Sequence, residues 1–320
     1  MIARAAGLAL VVAAVVRPVQ DQRPVFRTGI DVVAVDVSVT RGRTPVTGLG
    51  AADFQLMDNG VPQQIDAVLE GTIPIDVTIV LDLGGSTAIA WPAFRTDVET
   101  MRAGLGAQDR IRIIGVGMGT RELVPMRPAR ESLPAAAFDG GHLSTALHDG
   151  LFLALARPGE PDRRHLIVVF TDGFDNWSIL EGEHLPAIAE RADAVLHAVV
   201  TATPPVAPPP DADGRSSAVI ANGTFTNTRL SRGQWEDRIA RWSASQRALF
   251  DAVSRSGGAL HRIENRAAAF TGVLADFRSS YVLRFTPRGV APGGWHELKV
   301  SVPKPGGLTV RARKGYDASR

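Results

Sequence analysis

The chain of 320 residues contains no cysteine. That excludes a disulfide framework, thiolate metal sites and a cysteine nucleophile. It leaves the compartment open, because exported proteins also do without cysteine. Lysine is nearly absent as well, occurring only at Lys299, Lys304 and Lys314, so the basic side is almost all arginine. Those arginines are scattered, with no basic stripe and no interleaved aromatics, and the net charge is only +2. A nucleic-acid groove is therefore not expected. Beyond the N-terminus no apolar run is long enough for a membrane helix. No internal repeat is apparent.

What is present begins with Met1-Ile2-Ala3-Arg4 and an apolar run from Ala5 to Val16, broken only by Gly7 and stopped by Arg17-Pro18. A dozen apolar residues behind one positive charge is too short to span a bilayer but suits a signal-peptide core. Residues 1–24 are read as signal peptide and linker, which places the mature chain in the periplasm or outside the cell. At 45% hydrophobic, the remainder is large enough for one big core or two smaller ones.

Residues 25–72 read as an N-terminal β unit. From Gly29 onward Ile30, Val32, Val33, Val35, Val37 and Val39 are separated by Asp31, Asp36 and Ser38, as in a strand with one solvated face. A second strand at Phe54–Met57 meets Asp58-Asn59-Gly60, a strong hairpin turn, and a third is expected at Gln64–Leu69. Residues 73–279 then alternate strand and helix. The apolar runs at 77–81, 111–116, 165–170 and 194–200 suit strands buried on both faces. Helical spacing appears near 90–105, 145–155, 183–192, 235–254 and 266–278. That alternation predicts an α/β fold with a doubly wound, mostly parallel sheet. Within it, residues 203–232 are proline-rich and polar and read as a surface insertion. Residues 280–320 return to antiparallel strands, at Tyr281–Phe285, Trp295–Val302 and Leu308–Arg313. They are expected to pair with the N-terminal β unit, so that the α/β domain is inserted in a small β domain made by both chain ends.

Three strand ends carry the chemistry. The run Ile-Asp-Val-Thr-Ile-Val-Leu ends in Asp82-Leu83-Gly84-Gly85-Ser86. Thr145 follows a Gly-Gly-His loop at a helix start, where Ser144 or Thr145 is expected to cap the helix. Thr171-Asp172-Gly173 follows the strand at 165–170. The C-terminal edge of a parallel sheet is where open α/β folds bind ligands. Asp82, Ser86, Thr145 and Asp172 are thus expected to form one oxygen-rich cluster from three loops.

These residues resemble the metal-ion-dependent adhesion site of the von Willebrand factor type A (VWA) domain, with Asp-x-Ser-x-Ser on one loop, Thr on a second and Asp on a third. The flanks are similar to the VWFA-related family abundant in acidobacterial genomes: Val35 to Ile65, with Pro45-Val-Thr-Gly-Leu and Asp53-Phe54, and the ending Thr309-Val-Arg-Ala-Arg-Lys-Gly-Tyr316. The resemblance covers the chain from about residue 26, apart from 203–232. It implies a Rossmann-like VWA fold and a divalent cation, Mg2+ (or Mn2+ or Ca2+), held at Asp82, Ser86, Thr145 and Asp172. It also implies a protein partner that offers a carboxylate. Gly84 stands where the family places its first ligand serine, so weaker metal binding is expected. Magnesium keeps several waters readily, and one more would fill that gap.

Other chemistries find less support. Gly84-Gly-Ser86-Thr-Ala88 lacks the last glycine of a nucleophile elbow, although His142, His148 and His165 offer bases. Gly115–Gly119 looks like a dinucleotide loop but leads into an extended, proline-interrupted stretch. A phosphate held at Gly84-Gly85 would meet the charge of Asp82. The expected function is an exported, non-catalytic binding or adhesion protein with a degenerate metal site. The alternative is a scaffold or assembly subunit whose metal site has decayed. Oligomeric state is open.

Overall fold

A computed structural model describes residues 32–71, 73–85, 87, 91–134, 144–160, 162–200, 218–220, 224–226, 232–262, 266–304 and 306–319. The expected signal peptide, Ser86, His142 and most of the proline-rich insertion lie outside the described residues.

In chain order the first strands are β1 (Val33–Arg41), β2 (Thr44–Pro45), β3 (Gln55–Asp58), β4 (Val61–Gln63) and β5 (Ala67–Glu70). The alternating half follows as β6 (Ile75–Asp82), α1 (Trp91–Ala103), β7 (Arg110–Val116), β8 (Thr120–Pro128), α2 (Leu147–Leu155), β9 (Arg164–Thr171), α3 (Leu185–Arg191) and β10 (Val195–Val200). After the short pair β11 (Ala218–Ile220) and β12 (Thr224–Thr226) come α4 (Arg232–Arg255), β13 (Leu260–Arg262) and α5 (Arg266–Arg278). The chain closes with β14 (Tyr281–Phe285), β15 (Trp295–Ser301), β16 (Leu308–Ala312) and β17 (Gly315–Asp317).

The central sheet has the order β13-β10-β9-β6-β7-β8 and is parallel except for β8, which folds back antiparallel on β7. Every residue of β6 and β9 is buried. The reason is that both sheet faces are covered. Val77, Ile79 and Leu81 point to one side, against Phe94, Val98 and Met101 of α1 and Phe270, Val273 and Phe277 of α5. Val80, Ile114 and Val169 point to the other, against Leu147 and Leu151 of α2, Leu185 of α3 and Leu249 and Val253 of α4. Each such side chain taken fully out of water contributes about 1.5–3 kcal/mol. This is the doubly wound α/β fold that the apolar runs predict.

Both chain ends build two further antiparallel sheets. One has the order β16-β1-β14-β5 with β2 beside β1; the other runs β17-β15-β3-β4. They share a core in which Val35, Val37 and Val39 of β1 and Tyr281, Leu283 and Phe285 of β14 meet Leu56 of β3 and Leu298 of β15. The hairpin turn forms at Asn59 and Gly60, both at positive φ (45° and 79°), a conformation open to Asn and Gly. Of the strand expected at Gln64–Leu69 only the second half forms, as Ala67–Glu70, which pairs with β14; a strand not expected, Val61–Gln63, pairs with β3 in the other sheet. No helix among the described residues is long and apolar enough to cross a membrane.

Candidate functional site

Asp82 ends β6 with no exposed surface. Its neighbour in the sheet follows from register: Leu81 pairs with Phe170, which brings Thr171 alongside Asp82. Asp82 Oδ2 accepts the Thr171 hydroxyl at 2.7 Å. Its Oδ1 accepts the Gly84 N–H at 2.9 Å and the Thr145 hydroxyl at 3.3 Å. Thr87 closes the loop below, its hydroxyl donating to the carbonyls of Asp82 (2.7 Å) and Gly84 (2.9 Å).

Thr145 does not cap α2. Neither Ser144 nor Thr145 supplies a side-chain bond to the helix start; the residue flanking α2 is Ala146. The Thr145 hydroxyl is turned to Asp82 instead. The first turn of α2 is served from the third loop, where Asp175 Oδ2 accepts the His148 N–H (3.0 Å) and the Ser178 hydroxyl (2.5 Å). Asn176 Oδ1 accepts the Thr145 N–H at 2.8 Å, and the Thr145 carbonyl takes the N–H groups of Asn176 and Trp177. Asp175 is therefore engaged by the helix start. Together Asp175 and Asn176 position Thr145, a role given away in the sequence only by the Asx-rich run after Asp172.

Asp172, also buried, turns the chain after β9, and its Oδ1 accepts the Phe174 N–H at 2.8 Å. Its carbonyl accepts bonds from Trp242 Nε1 (3.3 Å) and Gln246 Nε2 (3.2 Å), which tie the third loop to α4. Two carboxylates and two threonine hydroxyls thus stand at neighbouring strand ends. Burial pushes the Asp82 carboxyl up to about 8, and the charge of Asp172 adds to the push; the bonds from Thr171, Gly84 and Thr145 pull it back. Arg238 of α4 is a positive side chain felt by Asp172, and its own pKa is lowered by burial and by Arg241.

The structure brings Asp82, Thr145 and Asp172 to one edge of the sheet; Ser86 lies outside the described residues. Thr171 is the participant that sequence reading missed, although it immediately precedes Asp172. Gly84 gains a second meaning. A Cβ built there would lie 2.0 Å from Thr145 Oγ1 and 2.9 Å from Asp82 Oδ1. The space of the family's serine is filled by the threonine hydroxyl itself.

The donor set fits a hard dication: all oxygen, two buried acidic groups, neutral hydroxyls between. The histidines fit a base less well. His148 is buried in α2, with Nε2 3.0 Å from Ser245 Oγ. His165 sits near the opposite end of the sheet, its Nε2 3.0 Å from Thr78 Oγ1.

No protein-family model matches the chain, and no curated protein matches it. Solved structures do. The chain is similar to a von Willebrand factor type A protein from Catenulispora acidiphila, with 11% identity, 89% of this chain and 74% of that one covered, and a TM-score of 0.41. It is similar to the ArnB paralog VWA2 from Sulfolobus acidocaldarius, with 10% identity, 88% and 75% covered, and a TM-score of 0.43. It is also similar to proximal thread matrix protein 1 from the mussel byssus, a structure with a zinc-occupied MIDAS motif, with 11% identity, 69% and 49% covered, and a TM-score of 0.42. With identities of 10–11% and TM-scores below 0.5, these likenesses carry no argument about what this chain does.

Proposed function

We propose that the chain is an exported VWA-type binding protein that engages a partner through a divalent cation held at the rim of its central sheet. One observation carries this reading: Asp82 and Asp172, from separate strand ends, are both buried beside each other's charge, with the Thr145 hydroxyl on Asp82. Two buried carboxylates are costly unless a cation compensates them. Asp82, Thr145 and Asp172 would hold Mg2+ or Mn2+, with Ser86 as the fourth residue implied by the resemblance. Bound there, the ion would supply positive charge to an outside carboxylate. The role is binding, without turnover.

The surroundings suit a docking surface. Gly117 accepts the Ala146 N–H, and Trp177 donates to Thr145, so the two flanking loops lie against the second site loop. Those loops expose Met118 (51%), Trp177 (52%) and Ile179 (94%). Exposed large apolar side chains around a polar centre are the composition of a binding hot spot.

A second reading, a scaffold with a decayed site, is favoured by one specific contact. The Thr145 hydroxyl already donates to Asp82, so the site satisfies part of itself without an ion. Metal titration separates the two. If millimolar Mg2+ or Mn2+ raises Tm, and Asp82→Ala abolishes that rise, the binding reading stands. If wild-type protein shows no shift, the scaffold reading replaces it.

A further inference from the structure

A second group of ligand-type side chains lies elsewhere on the sheet. His197 of β10 pairs in register with Val168, as does Ile79, so it sits three residues below the level of Asp82 and two strands across. His261 of β13 lies opposite Val199, on the same sheet face as His197. His197 Nδ1 and His261 Nε2 share a hydrogen bond at 3.0 Å, which a bound ion would replace. Asp276 of α5 completes the group, with one donor atom from each of the three residues within 4.8 Å of the others. Beside the group, on the side away from His261, a void of about 10 Å³ is lined by His197, Asp276, Ser38 and Ser280, roughly the space of one water-sized sphere.

The geometry points to a transition-metal site at His197, His261 and Asp276, with Zn2+ as its ion and a water completing the shell. Two imidazoles and a carboxylate are a common zinc donor set. A tetrahedral zinc at about 2.0–2.1 Å from both nitrogens would hold them about 3.3 Å apart, close to the spacing already present. The carboxylate is oriented from outside as bound carboxylates are. Asp276 Oδ2 accepts Arg311 Nη2 at 2.6 Å, and the Ser38 hydroxyl faces Oδ1 at 3.4 Å. Arg164, the other cation near His197, is already paired with Asp36 at 2.6 Å. The partial exposure of His261 provides the way in. The ion would tie the sheet edge β10–β13 to α5, and through Arg311 to β16. The site is independent of the rim proposed above and uses none of its residues.

The test titrates Zn2+ into the full chain and into Asp82→Ala, both with excess Mg2+. The expected result is one zinc per chain in both proteins, with a matching rise in Tm. His261→Gln and Asp276→Asn should each weaken binding more than tenfold, the effect of losing even an outer-shell partner. Co2+ in place of Zn2+ should give the intense visible bands of a tetrahedral, nitrogen-containing shell. Zinc lost in Asp82→Ala but kept in His261→Gln would assign it to the rim and overturn the proposal. So would an oxygen-only shell by X-ray absorption, or no binding at micromolar metal.

Discussion

Thr145 Oγ1 occupies the place where a side chain on Gly84 would begin, 2.0 Å from an ideal Cβ. The two residues are 61 positions apart in the numbering, yet each limits the other. A side chain at 84 and the present Thr145 rotamer cannot coexist.

Gly84→Ala should therefore destabilise the protein by about 1–3 kcal/mol, the usual effect of overpacking a filled site. Thr145→Ala removes the nearer of the two obstructing oxygens, leaving Asp82 Oδ1 at 2.9 Å and the Cβ of residue 145 at 3.4 Å from the new methyl. In urea denaturation the double variant should be more stable than the two single effects predict when added. Simple additivity would show that the loop moves aside freely.

Asp175→Ala removes the acceptor for the His148 N–H and the Ser178 hydroxyl. Loss of a helix-start acceptor costs about 0.5–2 kcal/mol. Because the same loop anchors Thr145 through Asn176, any Mg2+-dependent rise in Tm should shrink as well. An unchanged metal response with reduced stability would separate the cap from the site.

His165 gives a pH signature. Burial lowers its pKa from 6.5 to about 4, so the folded chain keeps it neutral while the unfolded chain takes up a proton. Between pH 6.5 and 4 the unfolded state binds more protons, and stability falls as pH falls through that window, levelling off below it. The drop attributable to this group is about 3 kcal/mol. His165→Gln should flatten that part of the stability curve relative to wild type, measured by denaturation from about pH 4 to about pH 7.

Tyr281 is fully buried, and its hydroxyl donates to the Val46 carbonyl (2.7 Å) while accepting the Leu49 N–H (3.1 Å). Tyr281→Phe leaves both backbone groups without that partner, at about 1–3 kcal/mol. The segment 46–50 should become the first site of limited proteolysis. Equal cleavage patterns in variant and wild type would show that the segment is held by other contacts.

Much of the fold is legible along the chain. The runs at 77–81, 111–116, 165–170 and 194–200 are mostly apolar and rich in β-branched residues, which suits a strand covered on both sides. Asp82 and Asp172 are conspicuous because each ends such a run. The division of 61–70 between two sheets was not legible, since Gln63 and Ala67 carry no mark of which neighbour they will meet. Nor was β17, three residues long. The role of Thr171 was missed for a similar reason: a threonine ending a buried strand looks like strand composition until its neighbour is known.

Taken alone, the order of residues determined most of the strand and helix positions and marked the three loops at the rim, because hydrophobic periodicity is a local property. The tertiary structure decided what each polar atom faces. Register set Thr171 beside Asp82, and the pairing of β10 with β13 set His197 beside His261. Packing depth turned the Thr145 hydroxyl inward, into the space that Gly84 leaves open. Hydrogen-bond partners dozens of residues apart are chosen by how sheets and helices stack, and that choice is made only when the chain is folded.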